Sequence, residues 1–259
     1  MSTGRAQCRR DLRLPGSLIT FADKHRPTLG ANVISTLSPT LHLALLALSW
    51  IVYGAIHSLL ASDTVKHVIQ RRFADHYRGY RLGYNLLALG LLIPPMWLLA
   101  GYRGDALWRW HPPFSWLADG LALLAVGAFM WTLRYYDTAE FLGTRQWRND
   151  QANGEDQAPM SLSPLHRWVR HPWYFLGLVI IWTREMNAAL LVSACALSVY
   201  LAIGAHLEDN KLVARYGEPY RRYRARIPGL LPRPWRHLSK QDAEAILRGS
   251  KTAKPSSAD

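Results

Sequence analysis

The stretch Arg170-His171-Pro172-Trp173-Tyr174-Phe175-Leu176-Gly177 places polar chemistry directly in front of an apolar run. That run turns at residues 184–187, and a second apolar run reaches His206, shortly before Glu208-Asp209. Two apolar runs joined by a short turn form a helical hairpin, so their polar ends come to the same level. We therefore expect the chain to be organised around this hairpin. Its chemistry should lie at the two polar ends, around Arg170-His171 and Glu208-Asp209, which we call the feet.

Charge and cysteine content limit the class of protein. The 259 residues carry a net charge of +13, and the basic residues avoid the apolar runs and crowd the segments between them, as in membrane proteins. No zinc-finger, helix-turn-helix or RNA-binding pattern is present, which argues against nucleic acid as a partner. Cys8 and Cys195 cannot form a disulfide framework, and no histidine has the spacing of a zinc ligand, so no metal site is expected.

Three further apolar runs, 41–60, 82–100 and 114–133, precede the hairpin. Each is about as long as a helix must be to cross a hydrocarbon core of ~30 Å. Pro94-Pro95 should kink the second run, because two backbone donors are missing there. Asp119 lies near the end of the third, where we expect it to meet headgroups and water. With the hairpin arms 172–183 and 187–206, these runs predict an all-α polytopic membrane protein with about five transmembrane helices.

The first hairpin arm is shorter than a straight membrane span requires. It can cross only if its helix extends back through residues 168–171. The chain as a whole divides into a polar flexible tail (1–40), a three-helix transmembrane region (41–133), a hairpin region (134–232) and a polar C-terminal tail (233–259). Within the hairpin region, 149–157 reads as a loop.

Orientation follows from the Lys and Arg residues between the runs. Links 61–81 and 134–171 carry five each and the segment after 206 carries twelve, whereas 101–113 and 184–187 carry two and one. Basic loops stay on the cytoplasmic side. This predicts a bacterial inner-membrane protein with the hairpin feet and the C-terminus cytoplasmic, although the tail 1–40, with six, departs from the alternation.

Each polar residue at the feet has a purely structural explanation when it is taken alone. Proline is favoured at the first position of a helix, and Glu208-Asp209 could be a solvated helix face. Together, however, the feet bring a histidine, a helix start with free N–H groups and a glutamate to one level. This set suits a zwitterionic ligand that has an ammonium group, a carboxylate and an aromatic base.

The same residues resemble a known family of membrane enzymes. The isoprenylcysteine carboxyl methyltransferase-like family, related to phospholipid N-methyltransferases and methanethiol S-methyltransferase, matches in an ordered set of motifs over about residues 134–232. These are Arg170-His171-Pro172-x-Tyr174-x-x-Gly177, Glu208-x-x-x-Leu212 and Tyr216-Gly217-x-x-Tyr220-x-x-Tyr223-x-x-x-x-Pro228. More loosely, His57-Ser58 and 78–85 resemble the amino-terminal half of the methanethiol-type relatives.

The resemblance implies S-adenosylmethionine at the cytoplasmic feet. It implies cofactor-binding positions at Gln146, His166, His171, Pro172, Trp173, Tyr174 and Glu208. Two positions depart from the family pattern: His166 stands where a tyrosine is usual, and Gly204 stands where prenylcysteine enzymes have a substrate-binding arginine. The second departure argues against a prenylcysteine substrate.

The function predicted from this resemblance is methyl transfer to a small or lipidic nucleophile: a thiol, an amine or a lipid headgroup. A base is needed only if that nucleophile arrives protonated, and His166, His171 and Glu208 are the candidate catalytic groups. Two alternatives remain open at this point. One is a membrane assembly or binding protein with the same fold but no turnover. The other is an NADPH-dependent enzyme similar to the sterol reductases.

Overall fold

The structure, a computed structural model, describes residues 37–148 and 160–252, where it is almost entirely helical. The predicted tail up to residue 36 and the loop 149–157 lie outside the described residues. The helices are α1 Pro39–Ala61, α2 Asp63–Arg72, α3 Tyr80–Leu91, α4 Ile93–Gly101, α5 Phe114–Thr132, α6 Thr138–Leu142, α7 Thr144–Arg148, α8 Pro172–Trp182, α9 Ala188–Tyr216, α10 Glu218–Arg226 and α11 Lys240–Thr252. Short 3₁₀ turns cover Ala74–Gly79, Leu133–Tyr135 and Pro164–Arg167, and strands β1 Ala106–Trp108 and β2 Met186–Asn187 pair antiparallel.

Within the described residues, four helical stretches are long and apolar enough to cross a membrane. They are Pro39–Ala61, His76–Gly101, Phe114–Tyr135 and Ala188–Tyr216. Only 11% to 22% of an apolar 18-residue window in each stretch is buried inside the protein, so leucines and other large apolar side chains point outward, as lipid-facing residues do. The predicted all-α polytopic membrane fold is therefore confirmed.

The short hairpin arm behaves differently from these four. Helix α8 is apolar but has only eleven residues, and it begins at Pro172 after a 3₁₀ turn. It does not extend back through residues 168–171, which is what a full crossing would require. The total of five spans stays a prediction.

Two close helix contacts form the centre of the bundle. On α1, the indole Nε1 of Trp50 donates a hydrogen bond of 2.9 Å to the Ser193 hydroxyl of α9. The small residues Ala118, Ala122 and Ala125 of α5 are buried, and α5 packs against α8. Small residues let helices approach closely where lipid provides no hydrophobic driving force between them.

The proline pair breaks the second run as predicted. Helix α3 ends at Leu91 and α4 starts at Ile93, directly before Pro94-Pro95. Asp119 is exposed and pairs with Arg184, with 3.1 Å between Oδ1 and Nη2. This pair lies at the turn between α8 and α9, at the opposite end of the hairpin from its feet.

Helix α9 is longer than the sequence indicated. It starts with the Asn187 side chain accepting the Leu190 N–H at 2.8 Å, and it continues past His206 to Tyr216. Gly217, at φ 62°, then makes the turn into α10 in a conformation that side chains other than glycine rarely adopt. Glu208 and Asp209 therefore belong to the helix itself rather than to a segment beyond its end.

The C-terminal helices fold back beneath the hairpin feet. Tyr220 and Tyr223 of α10 pack with Ile246 of α11 in a buried apolar cluster. Two backbone hydrogen bonds tie the chain after α10 to the start of the hairpin: Arg170 N–H to Pro228 C=O at 2.9 Å, and His171 N–H to Gly229 C=O at 3.1 Å. These contacts fix the backbone of the first foot.

Candidate cofactor site at the hairpin feet

A single buried carboxylate organises the feet. Asp209 is 3% exposed and accepts hydrogen bonds from three side chains. Arg170 binds both oxygens, Nε to Oδ1 at 3.1 Å and Nη2 to Oδ2 at 2.6 Å. His171 Nε2 and the Tyr220 hydroxyl also reach Oδ1, at 3.1 and 2.6 Å. Asp209 thus joins α8, α9 and α10 at one point.

Arg170 acts inside the protein rather than on a ligand. Besides its bidentate pair with Asp209, its Nη1 donates to the Arg224 carbonyl at 3.1 Å and to the Ile227 carbonyl. Its side chain is only 12% exposed. The guanidinium therefore satisfies the carbonyl groups at the end of α10 and neutralises the buried carboxylate.

His171 lies between two carboxylates. Nε2 faces Asp209 Oδ1 at 3.1 Å, and Nδ1 faces Glu208 Oε2 at 3.3 Å. Burial opposes the charged form, but the hydrogen bonds and charges of both carboxylates prevail and raise the pKa of His171 to about 9. His171 is therefore an imidazolium at neutral pH and has no lone pair with which to accept a proton.

Glu208 is the open side of this arrangement. Its side chain is 47% exposed. Oε2 accepts hydrogen bonds from His171 and from the Tyr174 hydroxyl, the latter at 3.2 Å. Within the described parts of the chain, Oε1 has no hydrogen-bond partner. A carboxylate held on one oxygen and open on the other is suited to binding a hydroxyl or ammonium group.

The three residues after His171 fix the first turn of α8. Pro172 occupies its first position and is buried. Tyr174 stacks on the His171 ring, with centroids 5.3 Å apart and planes inclined by 12°. Trp173 points to the other side, where its Nε1 donates to Thr132 Oγ1 at 2.8 Å and its ring contacts Tyr136. Trp173 therefore anchors α8 to α5, whereas Tyr174 faces Glu208.

His166 is held by its own turn. Its Nδ1 accepts the backbone N–H of Ser163 at 3.1 Å and lies 2.8 Å from the Ser163 hydroxyl. Burial, and then the positive charge of His171, lower the pKa of His166 to about 4. Its ring is neutral at physiological pH, and its basic nitrogen is already occupied in capping the turn.

Among the described residues, Gln146 makes no hydrogen bond to the other candidates. In the described segments its Nε2 donates only to the Glu140 carbonyl, at 3.5 Å, and its Oε1 is buried without a partner. It belongs to α7, which packs against α3 and against the 3₁₀ turn Ala74–Gly79 that precedes α3. The structure thus brings His171, Tyr174 and Glu208 together, with His166 beside them and Gln146 outside the group.

A known protein resembles this chain over most of its length. The methanethiol S-methyltransferase of Mycobacterium tuberculosis is 39% identical over 200 residues, which cover 72% of this chain and 76% of that protein. The chain belongs to the methanethiol S-methyltransferase family. This result confirms the predicted relation to the isoprenylcysteine carboxyl methyltransferase-like membrane proteins.

Other members of the methanethiol S-methyltransferase family match over shorter stretches. Methanethiol S-methyltransferase 1 of Bradyrhizobium diazoefficiens is 30% identical over 142 residues, 50% of this chain and 49% of that protein. The enzyme of Pseudomonas deceptionensis is 40% identical over 79 residues, 30% of each chain. The chain thus spans about half the length of the Bradyrhizobium relative and 30% of the length of the Pseudomonas relative. No family model matches the chain, and no solved structure matches it.

Sequence reasoning missed three residues of the site in this family member. The sequence does not distinguish Asp209 from Glu208, and it places Tyr220 only within a family motif, without a role at the site. Burial and the Asp209 charge raise the pKa of Tyr220, so its hydroxyl stays protonated and donates to that carboxylate. Burial and the Glu208 charge raise the pKa of Tyr136 to about 12. The only advance signal was the regular Tyr216, Tyr220, Tyr223 spacing.

Proposed function

We propose that this membrane protein transfers a methyl group from S-adenosylmethionine to a thiol, and that the hairpin feet hold the cofactor. The observation that carries the proposal is the paired arrangement of Glu208 and Asp209. One carboxylate is buried and internally neutralised, while its neighbour is exposed, oriented and open on Oε1. The names of the relatives support methyl transfer to a thiol.

The residues at the feet fit this cofactor. S-adenosylmethionine carries an ammonium group, a carboxylate, ribose hydroxyls, an adenine ring and a positively charged sulfur. Glu208 offers an acceptor for a hydroxyl or the ammonium group, and Tyr174 and Tyr136 offer aromatic faces nearby. Gln146 lies outside the feet, but its Oε1 is buried without a partner among the described residues, and buried acceptors are seldom left unpaired, so it is a separate candidate acceptor. When bound, the cofactor would supply a methyl group on a good leaving group, so the transfer needs no metal.

The protein's own contribution is positioning. His171 and Tyr174 both hold Oε2 of Glu208, which fixes the rotamer of that side chain before a ligand arrives. Asp209 and Arg170 hold His171 in turn, so the rigid part of the site lies behind the exposed carboxylate. Alignment of reacting groups can contribute several kcal/mol, up to about 7–11 in the best intramolecular cases.

The location of the site completes the proposal. We assign the cofactor site to residues 134–232 and the feet to the cytoplasmic face of the inner membrane, because the basic links lie at that end. A soluble cofactor would then reach the feet from the cytoplasm. A small apolar thiol could arrive through the bilayer beside the lipid-facing helices.

Glu208→Gln tests this assignment directly. Loss of the charged acceptor should weaken S-adenosylmethionine binding about 10- to 100-fold, since a hydrogen bond to a charged group is worth about 1.5–3 kcal/mol. Isothermal titration of the purified protein in detergent measures the affinity, and the thermal midpoint shows separately how far the lost contact with His171 weakens the fold.

The control is Glu218→Gln, the same change in an exposed surface pair with Arg222, which should bind like wild type. Transfer is followed by incubating membranes with methanethiol and a methyl-labelled donor and collecting the labelled volatile thioether. If monodisperse wild-type protein does not bind the cofactor, the proposal is wrong.

A further inference from the structure

Among the described residues, the hairpin feet offer no unengaged imidazole as a base for a protonated thiol. If the proposed function holds, on which this inference rests, a neutral thiol must lose its proton to become a strong nucleophile. His171 is doubly protonated, and the basic nitrogen of His166 accepts the Ser163 N–H. Glu208 accepts two hydrogen bonds on Oε2, which weakens it as a base. A proton acceptor outside the feet would leave Glu208 free to bind the cofactor.

A second histidine lies inside the bundle between two tyrosines. The Nδ1 of His57, on α1, is 2.6 Å from the Tyr200 hydroxyl of α9. Its Nε2 is 2.6 Å from the Tyr84 hydroxyl of α3. These contacts join three membrane-spanning stretches. An ionisable side chain within a membrane helix is costly, and by default it marks a functional site.

Hydrogen-bond counting shows what this cluster can do. A neutral imidazole has one N–H and one lone pair, and a phenol oxygen can accept two hydrogen bonds. In the tautomer that carries its proton on Nδ1, His57 donates that N–H to the Tyr200 oxygen. Nε2 then accepts the Tyr84 hydroxyl proton. Among the described residues His57 is the only partner of the Tyr84 hydroxyl, so its oxygen keeps a lone pair for a ligand.

The cluster is built into the helix packing. The Tyr200 ring lies so close to Gly54 that a Cβ there would be 2.9 Å from its Cδ2. Any side chain at position 54 would push the ring away from His57, one turn further along α1. The buried hydrogen bond between Trp50 and Ser193 holds the same pair of helices together. The position of the Tyr200 ring is therefore fixed by the packing of α1 against α9.

One stripe of α9 connects this cluster to the cofactor feet. Tyr200, Gly204 and Glu208 are four residues apart and share a helix face, with about 12 Å of rise from the first to the last. A Cβ on Gly204 would meet only the Tyr174 ring and hydroxyl, both at 4.0 Å. Tyr84 and Tyr200 both lie near enough to Tyr174 to interact with it electrostatically. The missing side chain of Gly204 thus leaves a gap beside Tyr174, on the face of α9 that runs from Tyr200 to Glu208.

We propose that a thiol acceptor binds in the gap beside Gly204 and gives its proton to His57 through the Tyr84 hydroxyl. The thiol S–H bond breaks and the proton moves to the Tyr84 oxygen, while the Tyr84 proton moves to His57 Nε2. The sulfur forms a bond to the methyl carbon, and the electron pair of the broken methyl–sulfonium bond stays on the leaving sulfur. The imidazolium then loses its extra proton to solvent.

The test compares acceptors that do and do not need deprotonation. His57→Gln keeps a polar side chain but removes the base. Tyr84→Phe keeps the aromatic ring but removes the hydroxyl that passes the proton from the thiol to His57. With methanethiol, kcat of both variants should fall about 100-fold or more, the usual contribution of a general base. With thiophenol, which is ionised at mildly alkaline pH, the loss should be less than about tenfold, because no proton has to be removed.

A readout without cofactor uses the thiolate absorbance of bound thiophenol, at a pH where the free thiol is protonated. Wild type should increase this absorbance and His57→Gln should not. Tyr53→Phe is the matched control, because Tyr53 touches the His57 ring but lies outside the hydrogen-bonded chain, and it should behave like wild type.

The outcomes separate this inference from the proposed function. Equal losses with both thiols, in variants that still bind S-adenosylmethionine with wild-type affinity, would overturn the role of His57 and leave the cofactor site intact. A wild-type protein that binds no cofactor and methylates neither thiol would overturn both.

Discussion

Replacing Asp209 with asparagine should destabilise the protein by about 3–5 kcal/mol, the usual cost of removing one partner from a buried ion pair. The carboxylate is 3% exposed and neutralises Arg170 while also holding His171 and Tyr220. An amide can accept hydrogen bonds on one atom only, so it would leave a buried guanidinium without its counter-charge. The thermal midpoint followed by tryptophan fluorescence in detergent measures the loss.

Asp63→Asn is the matched control for this change. Asp63 also pairs with a cation, Lys211, at 3.1 Å, but both side chains are about half exposed. Exposed pairs contribute about 0–1 kcal/mol, so the control should unfold close to wild type. A midpoint for Asp209→Asn equal to that of Asp63→Asn would contradict the structural role of the buried pair.

The stability of the feet should decrease as the solution becomes alkaline. The pKa of His171 is about 9 in the folded protein, above the ordinary value of 6.5, so folding stabilises the charged form. This contribution is fully present below about pH 6.5 and is lost as pH rises toward 9. A difference of this size corresponds to a stabilisation on the order of 3 kcal/mol.

The variant that isolates this effect is His171→Gln. It should be less stable than wild type at pH 6, and it should lose most of the decline between pH 6.5 and 9. His67→Gln, a change at an exposed position of α2, should keep the wild-type decline. If His171→Gln and wild type show parallel curves across this range, the imidazolium is not what couples stability to pH.

Hydropathy predicted the membrane-spanning elements well because each helix must carry its own apolar surface into lipid. The predicted run 41–60 corresponds to the helix Pro39–Ala61. The second helical run breaks directly before Pro94-Pro95, where two backbone donors are missing. The end of the last helix was missed because α9 continues into polar residues, down to Tyr216. Those residues are stabilised by tertiary contacts that a hydropathy profile does not contain.

At the site, the motif order pointed to the hairpin feet but not to the arrangement of their residues. Glu208 and Asp209 are adjacent acids on one helix, and nothing local distinguishes them. They differ because a rotation of about 100° per residue turns Asp209 toward Arg170 and Tyr220, while Glu208 faces outward. The same packing gives both nitrogens of His171 a carboxylate, so its charge depends on residues brought together from two helices.

The sequence alone determined that this chain is a helical membrane protein of a methyltransferase-like family, because apolar length, charge placement and motif order are local properties. Only the tertiary structure decided which carboxylate is buried and which is open. It also joined His57 to Tyr200, 143 residues further along the chain. Such pairings arise where helices cross, and helix crossing is set by the packing of whole faces around positions such as Gly54 rather than by any single segment.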